Sequence, residues 1–228
     1  QEVVFFKLGN DLFTADDCNY RPMFQPANPV SRLTASGGAM FFVEDDDLWR
    51  AYDPAMRSLL DNSSTPPAIT EQVGVDQTGI TITDTDNLTD ASGRLFFTAK
   101  GGSSIGNELW FVADTTANDA IASNARDIKP RGADAFPMNL TAVGSFVYFS
   151  ADDGSNGREL WRSDGTFTGT VPIDEINPSA NCGTGMDACG SAPNAFYPMA
   201  MADGSHTVFF LADDGTAQPR NGLWKPTL

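Results

Sequence analysis

The sequence predicts an all-β protein, and three observations support this prediction. The 228 residues include 21 glycines and 14 prolines, which favour turns, and 16 phenylalanines, which favour strands. Short aromatic segments recur five times along the chain, and a second apolar segment follows each of them. The hydrophobic fraction of 41% is sufficient to build a buried core. Many short strands joined by turns are therefore expected.

The two repeated segments are named strands b and c. The five b cores are Val4-Phe5-Phe6, Met40-Phe41-Phe42, Leu95-Phe96-Phe97, Val147-Tyr148-Phe149 and Val208-Phe209-Phe210. The c cores are Asp11-Leu12-Phe13, Asp47-Leu48-Trp49, Glu108-Leu109-Trp110, Glu159-Leu160-Trp161 and Gly222-Leu223-Trp224. Because all four tryptophans occupy one repeat position, we expect Trp49, Trp110, Trp161 and Trp224 to be mostly buried between neighbouring units. The acids Asp11, Asp47, Glu108 and Glu159 are expected to cap a strand or to pair with a neighbouring turn.

Two weaker elements complete each unit. Strand a precedes b, with its apolar residue eight positions before the central aromatic residue; its copies are Leu33-Thr34, Leu88-Thr89, Leu140-Thr141 and Met201-Ala202. Strand d follows c, near Met23-Phe24, Ser58-Leu59-Leu60, Ala125 to Ile128 and Val171 to Ile173. Units of four antiparallel strands are typical of β-propeller blades, which must stack to bury both faces.

The sequence therefore predicts one β-propeller domain over residues 1–228, with about five blades of three to four antiparallel strands. The repeat cores lie near 1–27, 31–61, 86–128, 138–176 and 197–228. The count of five b and five c strands against four a and four d strands leaves three alternatives open. The terminal blades have three strands, the ring has four blades, or the chain is part of a longer array.

One unit carries a more specific pattern. Residues 159–170 read ELWRSDGTFTGT, and the other units keep only the Leu-Trp core. This segment resembles the ELWxxDGT repeat found in exported bacterial proteins. The resemblance implies propeller-forming repeats and export, and it transfers no catalytic residue.

The charge and cysteine content restrict location and partners. There are 30 acidic against 14 basic residues, a net charge of −16, so neither nucleic acid nor an anionic membrane surface is an expected partner. The sequence contains no apolar run long enough to span a membrane. Cys182 and Cys189 close a short glycine-rich loop and are expected to form a disulfide, leaving Cys18 unpaired within the chain. The expected location is secreted, extracellular or on the cell surface, with the periplasm as an alternative.

Catalytic residues are not expected. His206 is the single histidine of the chain, and only Asp90 and Asp203 are acidic within the expected a strands, where a propeller glycosidase would place its two carboxylates. Calcium is the most plausible metal. Its candidate ligands lie in two b–c hairpins and are Asp152, Asp153, Asn156, Asp213 and Asp214.

The long loops predict where binding occurs. Because adjacent strands are antiparallel, the b–c hairpins and the d–a crossovers should share one face. This face carries Asp152, Asp153, Asp187, Asp213 and Asp214. We expect a non-catalytic interaction or assembly module that binds a protein partner or itself. The alternative is a lectin-like carbohydrate-binding propeller, with or without assistance by calcium, and a glycoside hydrolase is less favoured.

Overall fold

The computed structural model describes residues 4–15, 20–24, 28–52, 69–75, 79–113, 120–174, 176–177, 190–215 and 222–226. Within these ranges the chain forms β-strands and contains no helix, so the predicted all-β class is confirmed. The strands form five separate sheets, which we number in chain order, and none of them closes on itself.

Sheet 1 contains β1 (Val4–Leu8), β2 (Asp11–Ala15) and β3 (Tyr20–Phe24). Sheet 2 contains β4 (Ser31–Ser36), β5 (Ala39–Glu44), β6 (Asp47–Tyr52) and β7 (Ile69–Gln72). Sheet 3 contains β8 (Gly74–Val75), β9 (Ile82–Ala91), β10 (Arg94–Gly101), β11 (Ile105–Val112) and β12 (Ile121–Arg126). Sheet 4 contains β13 (Met138–Val143), β14 (Phe146–Asp152), β15 (Arg158–Ser163) and β16 (Val171–Asp174). Sheet 5 contains β17 (Asn194–Ala200), β18 (His206–Ala212) and β19 (Gly222–Trp224).

Chain order and sheet order coincide almost everywhere. Consecutive strands pair antiparallel in the order a, b, c and d, with β8 as the exception because it pairs parallel to β12. The described part of sheet 1 has strands b, c and d, and that of sheet 5 has strands a, b and c. The a strands of sheets 2 to 5 lie side by side, with β9 between β4 and β13, and β17 next to β13.

One cross-strand pair of aromatic residues recurs in every sheet. The b and c strands pair so that a phenylalanine of b lies opposite the aromatic residue of c; the pairs are Phe6 and Phe13, Phe42 and Trp49, Phe97 and Trp110, Phe149 and Trp161, and Phe210 and Trp224. The register is therefore the same in all five b–c hairpins. Opposed aromatic residues stabilise such hairpins and place both rings on one face.

The two faces of each sheet pack in opposite directions. The aromatic pair marks the leading face, which packs against the preceding sheet, and the leucine before the second aromatic residue marks the trailing face, which packs against the following sheet. Each of the four junctions has its own core cluster, centred on Leu12 with Phe42, Leu48 with Phe97, Leu109 with Phe149 and Leu160 with Phe210. The sheets therefore stack in series along the chain.

A β-bulge recurs in the four a strands. Its first residue has a positive φ, and the pairing with strand b shifts around it; the four residues are Arg32 (54°), Asn87 (54°), Asn139 (59°) and Ala195 (53°). In three of the strands a threonine hydroxyl closes the bulge by donating to the carbonyl two residues earlier; these are Thr34, Thr89 and Thr141. The repeated Leu-Thr pattern is thus the second half of a bulge, which bends a strand locally.

Two sequence assignments of strands need correction. The a strand of sheet 5 is β17, whereas Met201 follows its end and Ala202 lies in a turn. The bulge position shows that Phe196 and Tyr197 correspond to Leu33 and Thr34. The turn before β18 is longer than the two-residue turns of sheets 2 to 4, so the eight-residue spacing matched the wrong segment. In sheet 2 the fourth strand is β7, and residues 58–60 lie outside the described residues.

Candidate functional site

Two acids that precede Leu-Trp cores, Glu108 and Glu159, bind the crossovers between sheets. Glu108 is fully buried and accepts hydrogen bonds from the backbone N–H groups of Ile128 (3.1 Å) and Lys129 (3.0 Å). Glu159 is 4% exposed and accepts from the N–H (3.0 Å) and the hydroxyl (2.5 Å) of Ser191. Both carboxylates therefore satisfy buried donors of the chain segment that leads to the next sheet.

Burial changes the protonation of Glu108. Removal of the carboxyl group from water raises its pKa from 4.5 to about 8. The two backbone hydrogen bonds stabilise the charged form and so lower the pKa, but their effect is smaller than that of burial. A raised pKa in a buried carboxyl is often a mark of catalysis. Here the same oxygens are engaged by Ile128 and Lys129, so the shift accompanies a structural contact.

The crossovers contact the b–c hairpins on one side of the stack. The N–H groups of Ala135 and Phe136 donate to the carbonyl of Asn107 in sheet 3, and the N–H of Asp152 in sheet 4 donates to the carbonyl of Ala135. The next crossover repeats the arrangement, because Ala192 donates to the Arg158 carbonyl and Asp213 to the Ser191 carbonyl. Each of these crossovers thus connects the hairpin end of one sheet to that of the next.

The residues expected to form an acidic binding face, or a calcium site, have partners within the fold. Asp152 is 3% exposed, and its carboxylate lies 2.6 Å from Lys129 Nζ. Asp153 accepts from the N–H groups of Ser155 (2.8 Å) and Asn156 (2.9 Å), and Asp213 accepts from the N–H of Gly215 (2.9 Å). Asp214 also interacts within the fold, and Asp187 lies outside the described residues. In the described part of the chain, no cluster of three His, Cys, Asp or Glu residues is arranged to hold a metal.

The ELWRSDGT segment ends β15 and begins the turn to β16, where residues 164–166 follow the strand. Asp164 Oδ1 accepts from the N–H (2.9 Å) and hydroxyl (2.6 Å) of Thr166. The guanidinium groups of Arg94 and Arg126 in sheet 3 donate to carbonyls of this turn, those of Asp164 and Thr170. A Cβ at Gly169 would lie 2.0 Å from Asp164 Oδ1, so this position requires glycine. The motif fastens one sheet to its predecessor.

The a strands carry more acids than the sequence indicated. Strand β9 begins at Ile82 and so includes Asp84 and Asp86, which were missed because the strand was taken to begin near Asn87. Arg32 binds both carboxylate oxygens of Asp86, and Lys100 lies 2.8 Å from Asp84. The hydrogen bond from Arg32 lowers the pKa of Asp86. A glycosidase general acid needs the opposite shift.

The two acids expected on the a strands are also held locally. Asp90 Oδ1 accepts from the Ser36 hydroxyl (2.6 Å) and the Gly93 N–H (3.1 Å). Asp203 lies in the turn before β18, and hydrogen bonds from the hydroxyl and N–H of Ser205 lower its pKa. His206 is exposed at the start of β18.

An open cavity of about 570 Å³ lies beside β9. Its lining residues combine polar and apolar side chains: Asp84, Asp86, Asn87, Thr98, Asn107, Phe136, Pro137, Met138 and Arg158. Arg158 is 9% exposed and donates to the carbonyls of Phe136 (2.8 Å) and Ser150 (3.1 Å). The cavity adjoins the crossover side of sheets 3 and 4, which the sequence associated with binding.

The two ends of the stack expose apolar side chains that sequence reasoning missed. Leu12, Leu48, Leu109 and Leu160 are at most 1% exposed, but Leu223 at the same repeat position is 68% exposed. At the other end Leu8 is also 68% exposed, and Phe6 and Phe13 are half-buried and stack with centroids 5.4 Å apart. The signal in the sequence was the repeat itself, because it identifies Leu223 as the equivalent of the four buried leucines.

The predicted core and disulfide residues differ in outcome. Trp110 and Trp161 are buried, while Trp49 and Trp224 are half-buried. The indole N–H of Trp110 donates to the carbonyl of Ala99 in strand b (3.0 Å). The indole N–H of Trp224 donates in the same way to the carbonyl of Ala212 (3.2 Å). Cys18, Cys182 and Cys189 lie outside the described residues.

Comparison with known proteins gives little further information. No family model matches the chain, and no curated protein matches it. Among solved structures, the chain is similar to one described as "Crystal structure of puromycin hydrolase S511A mutant complexed with PGG", at 13% sequence identity and a TM-score of 0.44. The match covers 89% of this chain and 29% of that one, so the chain spans less than a third of the matched chain's length. No helix in the described ranges has the length and apolar character of a membrane span.

Proposed function

We propose that this chain is a non-catalytic interaction module outside the cytoplasm, with its five sheets arranged as propeller-type blades. The side-by-side a strands and the serial packing of the sheets support this arrangement. Export is supported by the resemblance of residues 159–170 to a repeat of exported proteins. The candidate acids support a non-catalytic role, since Glu108, Glu159 and Asp152 bind groups of the fold itself.

The observation that carries the proposal is the exposure of Leu223. The leucine is buried at four equivalent positions and 68% exposed at the fifth, which supports a contact surface at this end of the stack. We name this surface the trailing face of sheet 5, formed by Phe209, Leu211 and Leu223. The opposite end is the leading face of sheet 1, formed by Phe6, Leu8 and Phe13. A protein partner fits these faces because each is one half of a sheet-to-sheet junction.

The test compares Leu223→Glu with Leu160→Glu. Urea unfolding should show that Leu160→Glu lowers the free energy of unfolding by several kcal/mol, because it buries a charge. Leu223→Glu should change that free energy by no more than about 0.5 kcal/mol. At submicromolar concentration the native wild type should bind the neutral dye Nile red, and Leu223→Glu should reduce that binding. Phe167→Glu is the matched control, because Phe167 is 66% exposed and lies outside both end faces. Equal destabilisation by the two leucine variants would show that the face is internal and would refute the proposal.

The cavity beside β9 favours a second candidate function, carbohydrate binding. Amide and carboxylate groups next to Phe136 and Met138 provide the mixture of hydrogen bonding and apolar contact that sugars require. The measurement is calorimetric titration with a panel of neutral oligosaccharides, with and without calcium. Binding that disappears in Asn87→Ala would favour this function, and an absence of heat across the panel would exclude it for those sugars.

A further inference from the structure

We infer that the trailing face of sheet 5 binds the leading face of sheet 1 in a second copy of this chain, so that copies associate head to tail. This inference rests on the proposed function and names its partner. Its starting point is one contact that all four junctions within the chain share. Each joins a trailing leucine to a leading aromatic pair, and the two end faces are the unmatched halves of the same junction.

The strand register identifies which residues would meet. Leu223 lies opposite Leu211 in its hairpin, as Leu160 lies opposite Ser150, so Leu223 and Leu160 are equivalent. Leu8 occupies the b strand position of Glu44, Ala99, Ala151 and Ala212, two residues after the paired phenylalanine. Inside the chain these alanines share a core cluster with the trailing leucine of the preceding sheet: Leu48 with Ala99, Leu109 with Ala151 and Leu160 with Ala212. A head-to-tail junction would therefore bring Leu223 to Leu8.

The exposure of both ends favours a second copy over closure within one chain. If sheet 1 covered sheet 5 of the same chain, Leu8 and Leu223 would be buried together, yet each is 68% exposed. A second copy presents the missing half with the correct side chains and the same strand register. Such a contact joins two different surfaces, so it is heterologous and leaves one free face at each end of a dimer.

The experiment is a complementation test by sedimentation velocity on the full chain. Wild type should form species whose mass increases with protein concentration. Phe6→Glu and Leu223→Glu should each be monomeric, because each has lost one half of the junction. Their equimolar mixture should form a 1:1 dimer and nothing larger, since only one pair of intact faces remains. Phe167→Glu should associate as wild type does.

Three results would overturn the inference. The first is a wild type that stays monomeric at high micromolar concentration. The second is self-association of Phe6→Glu alone, which would indicate that two trailing faces meet. The third is a mixture that remains monomeric. In all three cases the urea and dye comparison of Leu223→Glu with Leu160→Glu still decides the proposed function, so the two failures are distinguishable.

Discussion

At the scale of single residues, Glu108 couples stability to pH. Its pKa is about 8 in the fold, against 4.5 as the ordinary value. Between pH 4.5 and about pH 8 the Glu108 carboxyl is therefore protonated in the folded protein and ionised in the unfolded chain. The stabilising contribution of this group is fully present below pH 4.5 and is lost as the pH rises through the folded pKa.

The variant Glu108→Gln should remove this dependence. Glutamine resembles the protonated acid in size and offers an acceptor to the Ile128 or Lys129 N–H, but it cannot ionise. The free energy of unfolding, measured with urea, should fall between pH 5 and pH 8 by a few kcal/mol more in wild type than in the variant. The reason is that each unit of pKa difference corresponds to ~1.4 kcal/mol. Glu108→Ala is the control, because it removes the acceptor and should be destabilised at both pH values. If the unfolding free energy of Glu108→Gln changed with pH as much as that of wild type, the pH dependence would belong to other groups.

The tryptophans should differ in their contribution to stability. Trp110 is fully buried in the junction between sheets 2 and 3, whereas Trp224 is half-buried at the end of the stack. Trp110→Ala should cost about 3–5 kcal/mol and Trp224→Ala clearly less, as measured by denaturant unfolding. Trp110→Phe should be milder than Trp110→Ala, because Phe13 occupies the same position in sheet 1. Equal costs for the two alanine variants would contradict serial packing of the sheets.

At the scale of elements, the bulge in the a strands requires a residue that tolerates positive φ. Asn139 adopts a φ of 59°, which asparagine and glycine adopt readily and a β-branched residue does not. Asn139→Val should cost roughly 1–2 kcal/mol in thermal or urea unfolding, and Asn139→Gly should be nearly neutral. If valine and glycine were tolerated equally, the strand would have to pair without the bulge.

The b and c strands could be predicted from sequence, because their pattern reflects burial on both faces. In strand b of sheet 3, Phe96 packs against the following sheet and Phe97 against the preceding one. Two consecutive apolar residues are therefore needed, one for each face of the sheet. The a strand of sheet 5 could not be found by spacing, since turn length is free to vary on the surface. Likewise Asp86 was missed because the bulge at Asn87 interrupts the alternation that would have extended β9.

The ELWRSDGT turn shows why one repeat can keep a motif that the others lose. Gly165 lies against the Phe111 ring and Gly169 against Asp164, so both glycines are fixed by space. Arg94 and Arg126 reach this turn from sheet 3. The motif of this repeat therefore makes contacts with residues of the neighbouring sheet.

At the scale of the whole molecule, the same leucine is core or surface depending on whether a further sheet covers it. The sequence makes Leu160 and Leu223 equivalent, and only the stacking order separates a buried residue from one that is 68% exposed. The repeat pattern could predict the junctions, but not which faces the stack leaves uncovered. Side chains such as Asp152 were judged by charge, while the fold uses that charge to bind Lys129.

Net charge sets the salt dependence of head-to-tail association. Each copy carries −16, so two copies repel each other at a distance, while the side chains that define the two end faces are apolar. Salt shortens the screening length from ~30 Å at ~0.01 M to ~3 Å at ~1 M and should therefore strengthen association. Sedimentation equilibrium across this range should show the association constant rising with sodium chloride.

Asp45→Asn with Asp46→Asn provides the control, because these exposed turn residues lie outside both end faces. This double variant should associate more tightly than wild type at low salt and equally at high salt, which separates screening from salting-out. Association that weakens with salt would instead indicate a contact made by ion pairs.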